Sequence, residues 1–225
     1  MEIKRLMGKE IDLMANYPKA KRNIEQRAAE KTNEERKIAR QFGRDFFDGD
    51  RRYGYGGYSY HERFWEGVIP TFKKFYNLKN ESKVLDVGCG KGFMLYDFMR
   101  LIKGITVAGI DVSEYAIANA KDEVKPFVKL GDARELPFDD DSFDLVISIT
   151  TVHNLEREGC KKALQEIERV SSNGKFITVD AYFNDDEKKR MDMWNLTALT
   201  YMHTDEWKGF FQEAGYTGDY YWFIP

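Results

Sequence analysis

Residues 84–92 read Val84-Leu85-Asp86-Val87-Gly88-Cys89-Gly90-Lys91-Gly92, a short apolar run followed at once by three glycines in five positions. Such a turn lets the backbone reverse sharply and come within contact distance of a ligand. A dinucleotide fingerprint would place its third glycine where Phe93 stands, and a phosphate-cradling loop would continue from lysine to serine or threonine. Asp86 lies at the mouth of the turn, where its charge would repel a pyrophosphate and attract a cation. The spacing therefore favours another nucleoside over a dinucleotide or a nucleoside triphosphate.

From Lys83 onward, strand patterns alternate with helix patterns. Continuous β-branched apolar runs predict strands buried on both faces at Val84–Val87, Ile105–Ile110, Phe127–Leu130, Asp144–Ile149 and Phe176–Val179. Helical patterns lie between and after them, at about residues 92–102, 113–124, 157–171 and 204–214. The expected fold is α/β, a Rossmann-like, doubly wound and mostly parallel sheet with ligands at the carboxyl ends of its strands.

Two more aspartates follow predicted strands. Asp111 ends the second strand, where a carboxylate can hold both hydroxyls of a ribose, and Asp132 follows the third, where it can accept from the amine of adenine. Each alone is equally well explained as a helix cap or turn residue. Together with Asp86, at the ends of three successive strands, they indicate a nucleoside site.

These motifs resemble a class I S-adenosylmethionine-dependent methyltransferase, in the style of the quinone-biosynthesis and small-molecule enzymes. The resemblance rests on residues 84–92, 109–113 and 131–133, with Leu136-Pro137-Phe138 and Ser142-Phe143-Asp144, and it extends from Lys83 to Tyr216. It implies S-adenosyl-L-methionine as cofactor, S-adenosyl-L-homocysteine as its product, and no metal. The cofactor-binding residues that it implies are Asp86, Gly88, Cys89, Gly90, Asp111, Val112, Asp132, Ala133 and Ile149.

The sequence departs from the family pattern in two places. Ser172-Asn173-Gly174 replaces the usual proline-glycine turn before the fifth strand, and one candidate strand, Tyr220–Ile224, stands where the fold closes with a β-hairpin. A truncated hairpin would leave a sheet edge that needs cover, either from the N-terminal arm or from another subunit in a homodimer.

Composition sets wider limits. The 225 residues carry 35 basic and 38 acidic side chains, so no overall positive field favours nucleic acid or an anionic membrane. No apolar run is long enough to span a membrane, and no secretory signal is evident. Two cysteines are too few for a disulfide framework or a cysteine-built zinc site, so we expect a reducing, cytoplasmic location.

The first part of the chain, residues 1–82, is predicted to form a helical arm and a lid, ahead of a core at 83–225. Ile3, Met7, Ile11 and Met14 recur at helical spacing, and a charged helical pattern with few apolar anchors follows to Phe42. A glycine-rich tract then carries Tyr53, Tyr55, Tyr58 and Tyr60. These phenols are predicted to close over bound ligands, with Tyr58 catalytic and the other three contacting substrate. The alternative is a loop that merely packs on the core.

His153 is the candidate base, because it follows the fourth strand and histidine titrates near neutrality. The alternatives are a histidine that positions the substrate or one that only packs. An acceptor-binding insertion is expected at about 181–203, and its candidate substrate contacts are Trp194, Tyr201 and His203. Core packing explains the tryptophan equally well.

Three functions remain open from the sequence. The first is methyl transfer to an oxygen or nitrogen of a small polar metabolite. The second is methylation of a protein or peptide that docks on the arm of residues 1–52, which carries 14 basic and 10 acidic side chains. The third is a cofactor-binding scaffold without turnover. The segment Ser148-Ile149-Thr150-Thr151 lacks the motifs that grip a flipped base or supply a cysteine nucleophile, and no magnesium-binding acidic cluster is evident, so nucleic-acid modification and metal assistance are disfavoured.

Overall fold

The computed structural model describes residues 8–19, 24–29 and 31–225. Seven strands form its sheet: β1 (Lys83–Val87), β2 (Thr106–Asp111), β3 (Val128–Leu130), β4 (Phe143–Ile149), β5 (Ser171–Tyr182), β6 (Met202–His203) and β7 (Asp219–Phe223). The strand order is β3-β2-β1-β4-β5, after which β5 pairs with β7 and, at its carboxyl end, with β6. Every pairing between these strands is parallel. The predicted parallel sheet is confirmed.

Nine α-helices surround this sheet in the described part of the chain. They are α1 (Ile24–Ala29), α2 (Asn33–Ala39), α3 (Arg44–Asp48), α4 (Ile69–Phe75), α5 (Phe93–Leu101), α6 (Glu114–Ala118), α7 (Arg157–Val170), α8 (Asp185–Trp194) and α9 (Thr204–Ala214). None of the described helices is both long and apolar enough to cross a lipid bilayer.

Successive residues of β1 pack in two different apolar cores, because successive side chains of a strand point to opposite faces of the sheet. Leu85 and Val87 pack in a core with α7 and α9, whereas Val84 packs on the other face with α4 and α5. Helices therefore cover both faces of the sheet, as expected of a doubly wound fold. Residues of α4 share the core of β1 and α5, so residue 82 marks a change of role rather than a break in packing.

The structure corrects three element boundaries. The strand predicted at Phe176–Val179 extends over all of β5, because it pairs with β4 along one side and with β7 and β6 along the other. The helix predicted at 113–124 ends at Ala118, because the Lys121 N–H leaves the helical pattern and donates to the carbonyl of Lys91 (3.0 Å). Residues 61–76, whose apolar spacing predicts a helix from His61 that is kinked or restarted at Pro70, divide into a 3₁₀ turn at Glu62–Phe64 and α4, which has Pro70 in its first turn.

The helical spacing at the start of the arm is also misleading. Ile3 and Met7 lie outside the described residues, and Ile11 belongs to an extended segment. The Ile11 N–H donates to the carbonyl of Tyr220 (2.9 Å), and the Tyr220 N–H donates to the carbonyl of Lys9 (3.0 Å). Residues 9–11 thereby run parallel to β7 and cover its outer edge. The sheet edge expected to need cover thus receives it from the arm of the same chain.

Candidate functional site

A cavity of about 530 Å³ lies where β1, β2, β4 and β5 end. Sheet order reverses between β1 and β4, which is the position where doubly wound folds bind ligands. The opposite wall comes from residues 40–58, a segment called the cap below. Eleven of the site residues predicted from the sequence line this cavity: Gly88, Gly90, Asp111, Val112, Asp132, Ala133, Ile149, His153, Tyr55, Tyr58 and Trp194.

The glycine turn has no room for side chains at two points. Gly88 has a φ of +88°, and a Cβ atom built there would overlap the side chain of Thr151. Gly90 has a φ of +55° and faces the Tyr58 ring, whose Cε1 would lie 3.3 Å from an added Cβ. Both positions are in the left-handed region that favours glycine, and both line the cavity. The turn therefore brings bare backbone to the cavity wall.

Asp111 is held against this turn by backbone amides. Its two carboxylate oxygens accept from the Gly90 N–H (2.7 Å) and the Ser113 N–H (2.8 Å). Burial raises the pKa of Asp111, and these hydrogen bonds oppose that rise. The carboxylate is thus fixed in orientation on the cavity wall, with lone pairs remaining for a ligand.

Asp86 and Cys89 belong to the glycine turn or adjoin it, but neither lines the cavity. Burial, with the nearby charge of Asp111, raises the pKa of Asp86 to about 7. No described residue donates a hydrogen bond to its carboxylate. Cys89 is buried, and its sulfur packs close to Gly109. Among the described residues, Asp86 is therefore a buried carboxylate with no hydrogen-bond donor beside the turn, whereas the Cys89 side chain faces the core.

Three apolar residues and one paired carboxylate complete this end of the cavity. Val112 is 60% exposed, and with Ala133 and Ile149 it offers apolar surface for a flat ring. Both oxygens of Asp132 are engaged by the Arg134 guanidinium, whose hydrogen bonds lower the pKa of that carboxyl. An amine that binds Asp132 would therefore share it with Arg134.

His153 lies in the 3₁₀ turn after β4, with only 3% of its surface exposed. Its Nδ1 accepts from the backbone N–H of Asp180 (2.9 Å). A backbone amide can only donate, so Nδ1 carries no proton and the neutral ring carries its proton on Nε2. Burial lowers the pKa of His153, and the nearby Asp180 charge only partly offsets this effect. Nε2 forms no hydrogen bond with a described residue, so the histidine offers the cavity a donor.

The tyrosine tract divides into two pairs. Tyr55 and Tyr58 line the cavity, with ring centroids 4.4 Å apart, and the Tyr58 ring also packs on Phe93 (4.9 Å). Tyr60 turns away, because its hydroxyl donates to the buried Asp97 (2.9 Å). Tyr53 lies off the wall as well. The structure thus brings two of the four phenols to the site.

The predicted insertion contributes one of its three candidate residues. Trp194, at the end of α8, lines the cavity beside Phe223, with 5.9 Å between ring centroids. Tyr201 instead donates through its hydroxyl to Asp192 (2.9 Å), and His203 caps α9 by accepting from the Asp205 N–H (3.2 Å). Neither of these lines the cavity, because each is engaged at the surface.

The cap is fastened to the glycine turn by a small polar network that sequence reasoning missed. The Lys91 ammonium donates to the Asp48 carboxylate (2.6 Å) and to the carbonyl of Tyr58 (2.8 Å), and the Tyr115 hydroxyl donates to Asp48 (2.7 Å). Burial alone would raise the pKa of Asp48, but these bonds lower it to about 2. The one available signal was a lysine within a buried glycine turn, where a charge needs a partner.

The other end of the N-terminal region is fastened to the insertion. The Lys31 ammonium donates to the carbonyl of Trp194 (2.7 Å), and the Arg36 guanidinium donates to the carbonyl of Asn195 (3.3 Å). The region from α2 to the tyrosine tract therefore bridges the two halves of the cavity. It supplies wall residues that the sequence did not indicate, among them Arg40, Phe42, Phe46 and Phe47. It also supplies Arg51, which beside the tyrosine tract could be read either as a contact for an anionic acceptor or as a surface charge.

The backbone is strained where β4 reaches the cavity. Thr150 has a φ of +50°, which is rare for a β-branched residue. Its N–H is held by the carbonyl and hydroxyl oxygens of Thr178 (3.0 and 2.9 Å). This strain bends the chain so that Thr151 and His153 reach the cavity. In the part of the chain that the structure describes, no group of three or more side chains is arranged to hold a metal ion.

Comparisons with known proteins agree with this architecture. Residues 85–178 match the family model described as a methyltransferase domain. A sterol 24-C-methyltransferase of Gibberella zeae is 36% identical over 50% of this chain and 32% of its own length. A tRNA (carboxymethyluridine(34)-5-O)-methyltransferase of Arabidopsis thaliana is 30% identical over 67% of this chain and 39% of its own. The chain spans about a third to three fifths of the length of the curated relatives that it matches.

Among solved structures, phosphoethanolamine N-methyltransferase 2 of Haemonchus contortus has the same fold, with a TM-score of 0.56. It is 21% identical, and the match covers 79% of this chain and 44% of that one. That structure contains phosphomonomethylethanolamine and S-adenosylhomocysteine. These proteins act on very different acceptors, so similarity alone leaves the substrate class open.

Proposed function

We propose that the chain is a class I, S-adenosylmethionine-dependent methyltransferase and that it transfers a methyl group to an oxygen or nitrogen of a small polar metabolite. The observation that carries this proposal is the cavity between strand ends and cap. Its floor has the glycine turn and Asp111, and its other half has His153 and Trp194. This cavity of about 530 Å³ would hold the cofactor at the glycine turn and the acceptor beside His153 and Trp194.

The residues at the turn fit the cofactor. Gly88 has no Cβ atom between its backbone and the cavity, and the Asp86 carboxylate, buried beside the turn, accepts no hydrogen bond from a described residue, so it can pair with a cationic ligand. Asp111 would hold the ribose hydroxyls, and Val112, Ala133 and Ile149 would contact the adenine. When bound, S-adenosylmethionine supplies an electrophilic methyl group on a sulfonium.

The protein's own residues position the acceptor and exclude water. Tyr55 and Tyr58 cover the glycine turn from the cap side, and Trp194 bounds the acceptor half. Aligning two reactants in a closed space can lower the reaction barrier by about 7–11 kcal/mol in favourable cases.

The position of the cap over the cavity weakens the alternative of a protein or peptide substrate. Part of the arm that would have to dock a protein substrate, residues 40–52, forms the cavity wall instead.

Transfer of label tests the proposed function directly. The protein is incubated with S-adenosylmethionine labelled in its methyl group and with fractionated cell extract, and the labelled product is sized. We expect label in small molecules. Label retained on macromolecules would support a protein or peptide substrate, and cofactor binding without any transfer would support a scaffold without turnover.

Cofactor affinity should depend on pH through Asp86. Its pKa of about 7 in the free protein means that the carboxylate is mostly protonated at pH 6 and mostly ionised at pH 8. A cationic ligand pairs with the ionised form, so S-adenosylmethionine should bind about tenfold more tightly at pH 8 than at pH 6. Calorimetry in buffers of different ionisation enthalpy should also detect proton release near pH 7. The variant Asp86→Asn is the control, and the same pH dependence in that variant would assign it to another group.

A further inference from the structure

The two residues predicted to be catalytic both hold their protons. His153 has Nδ1 occupied by the Asp180 N–H and carries its proton on Nε2. Burial raises the pKa of the Tyr58 hydroxyl, so the phenol also stays protonated. Both can donate a hydrogen bond to an acceptor, and neither is set up to remove a proton from it. Asp180 also lines the cavity, and its Oδ1 lies 3.6 Å from Nδ1 of the same ring.

Positive charge is available on the cavity wall. Arg134 is paired with Asp132, whereas Arg40 and Arg51 form no ion pair with any described residue. The Arg51 guanidinium donates to the carbonyl of Gly54, and the Arg40 side chain makes no hydrogen bond among the described residues. An anionic group bound in this cavity would therefore find the guanidinium groups of Arg40 and Arg51 on its wall, together with the Nε2 donor of His153.

Apolar side chains also line the cavity, beside the polar residues Asn154, Asp180, Asn195 and Thr197. Trp194, Leu196 and Phe223 line it from the core side, and Phe46 lines it from the cap. These side chains suit an aliphatic or aromatic body rather than a second charged group.

We propose that the acceptor is a carboxylate on an apolar or aromatic body, and that the product is its methyl ester. This inference rests on the proposed function and names its substrate class. One carboxylate oxygen accepts a hydrogen bond from Nε2 of His153, and the other forms the new O–CH₃ bond. The S–CH₃ bond breaks, its electron pair stays on sulfur, and the sulfonium becomes a neutral thioether. No proton is transferred, so the reaction needs no general base.

Alkali treatment of the labelled product tests this class. Methyl esters hydrolyse in mild alkali and release volatile labelled methanol, whereas methyl ethers and methylamines are stable. We expect most of the label to become volatile. Stable label would overturn the carboxylate assignment and leave methyl transfer standing. Bound cofactor without any label transfer would overturn the proposed function, and the carboxylate proposal with it.

Two substitutions at His153 separate a donor from a base. His153→Gln places an amide N–H near the position of Nε2, whereas His153→Asn retains an acceptor for the Asp180 N–H and loses the donor. The acceptor in this assay is the fraction of cell extract in which labelled product forms. We expect the glutamine variant to keep about a tenth or more of the wild-type kcat/KM. The asparagine variant should lose about a hundredfold, and S-adenosylmethionine affinity should be unchanged in both. Equal loss in both variants, with a wild-type kcat that rises with pH between 6 and 8, would overturn the donor role.

NMR of the unmodified protein tests the donor role of His153 without any turnover. Nitrogen chemical shifts of the His153 ring should show Nδ1 unprotonated and Nε2 protonated between pH 6 and 8. The opposite tautomer would contradict the proposal.

A substitution on the cavity wall tests the role of the guanidinium groups. Arg40→Gln should raise KM about tenfold for the acceptor in the extract fraction that yields labelled product. Arg44→Gln, an exposed residue of the same cap that does not line the cavity, should leave KM unchanged. Equal KM values for these two variants would remove Arg40 from the site.

Discussion

Replacing Asp111 with alanine should weaken S-adenosylmethionine binding by about tenfold or more in calorimetry. The reason is twofold. The substitution removes the carboxylate that would hold the ribose hydroxyls, and it leaves the N–H groups of Gly90 and Ser113 without the acceptor that fixes them. Unpaired buried donors cost about 1–3 kcal/mol each, so the turn itself should lose its shape.

The geometry also predicts that asparagine cannot replace Asp111. The two carboxylate oxygens each accept from a backbone N–H, and an asparagine would point its own NH₂ group at one of them. Asp111→Asn should therefore weaken binding nearly as much as Asp111→Ala. Asp122→Ala, at an exposed position in the next loop, is the matched control and should bind like the wild type. An unchanged dissociation constant for Asp111→Ala would refute the cofactor assignment.

The second large effect is expected at the network that fastens the cap. Asp48→Asn leaves the Lys91 ammonium, whose side chain is 9% exposed, without a compensating charge. Removing one partner of a buried ion pair costs about 3–5 kcal/mol, and the partial exposure of Asp48 places this case near the lower limit. For a chain of this size, the melting temperature should fall by roughly 6–12 °C if cap and core unfold together. Should the cap detach first, limited proteolysis would cut within residues 40–58 before the core melts.

Acid should also lower the stability of the unmodified protein, by protonating Asp48. The pKa of Asp48 is about 2 in the folded protein and 3.8 in the unfolded chain, so its contribution to stability is complete above about pH 5 and is lost as pH falls through 2. Asp45→Asn changes an exposed aspartate of the same short helix and serves as control. It should leave both the melting temperature and the acid sensitivity unchanged. Equal melting temperatures for the two variants would show that the network does not hold the cap.

The core was predictable because its strands are buried on both faces. Continuous apolar runs such as Val84–Val87 and Asp144–Ile149 need no knowledge of their partners, and the glycine turn is a local signal. Boundaries failed where a distant contact decides them. The helix at α6 stops because Lys121 bonds to Lys91, and Ile11 is extended because it pairs with Tyr220.

In the candidate site, too, the residues with a local sequence signal were predicted and those that depend on distant contacts were not. Residues directly after strands, such as Asp111 and His153, were found because parallel strands bring their carboxyl ends to one edge. Asp48 escaped notice because its partner Lys91 is 43 residues away and nothing near it in the sequence reveals the contact. Tyr60 shows the converse error. Its sequence neighbourhood is that of Tyr58, and only the hydrogen bond to Asp97 reveals that it faces the core side.

The cover that residues 9–11 give to β7 has a consequence for the order of folding. The hydrogen bond from the Lys9 N–H to Asp219 closes a loop of 210 residues. Closing so long a loop is entropically costly until the chain between its ends is already compact. We therefore expect the parallel sheet to form first and the first residues to pair with it late. In refolding from denaturant, strand content should recover before the N–H groups of Ile11 and Tyr220, which pair the first residues with β7, become protected from hydrogen exchange.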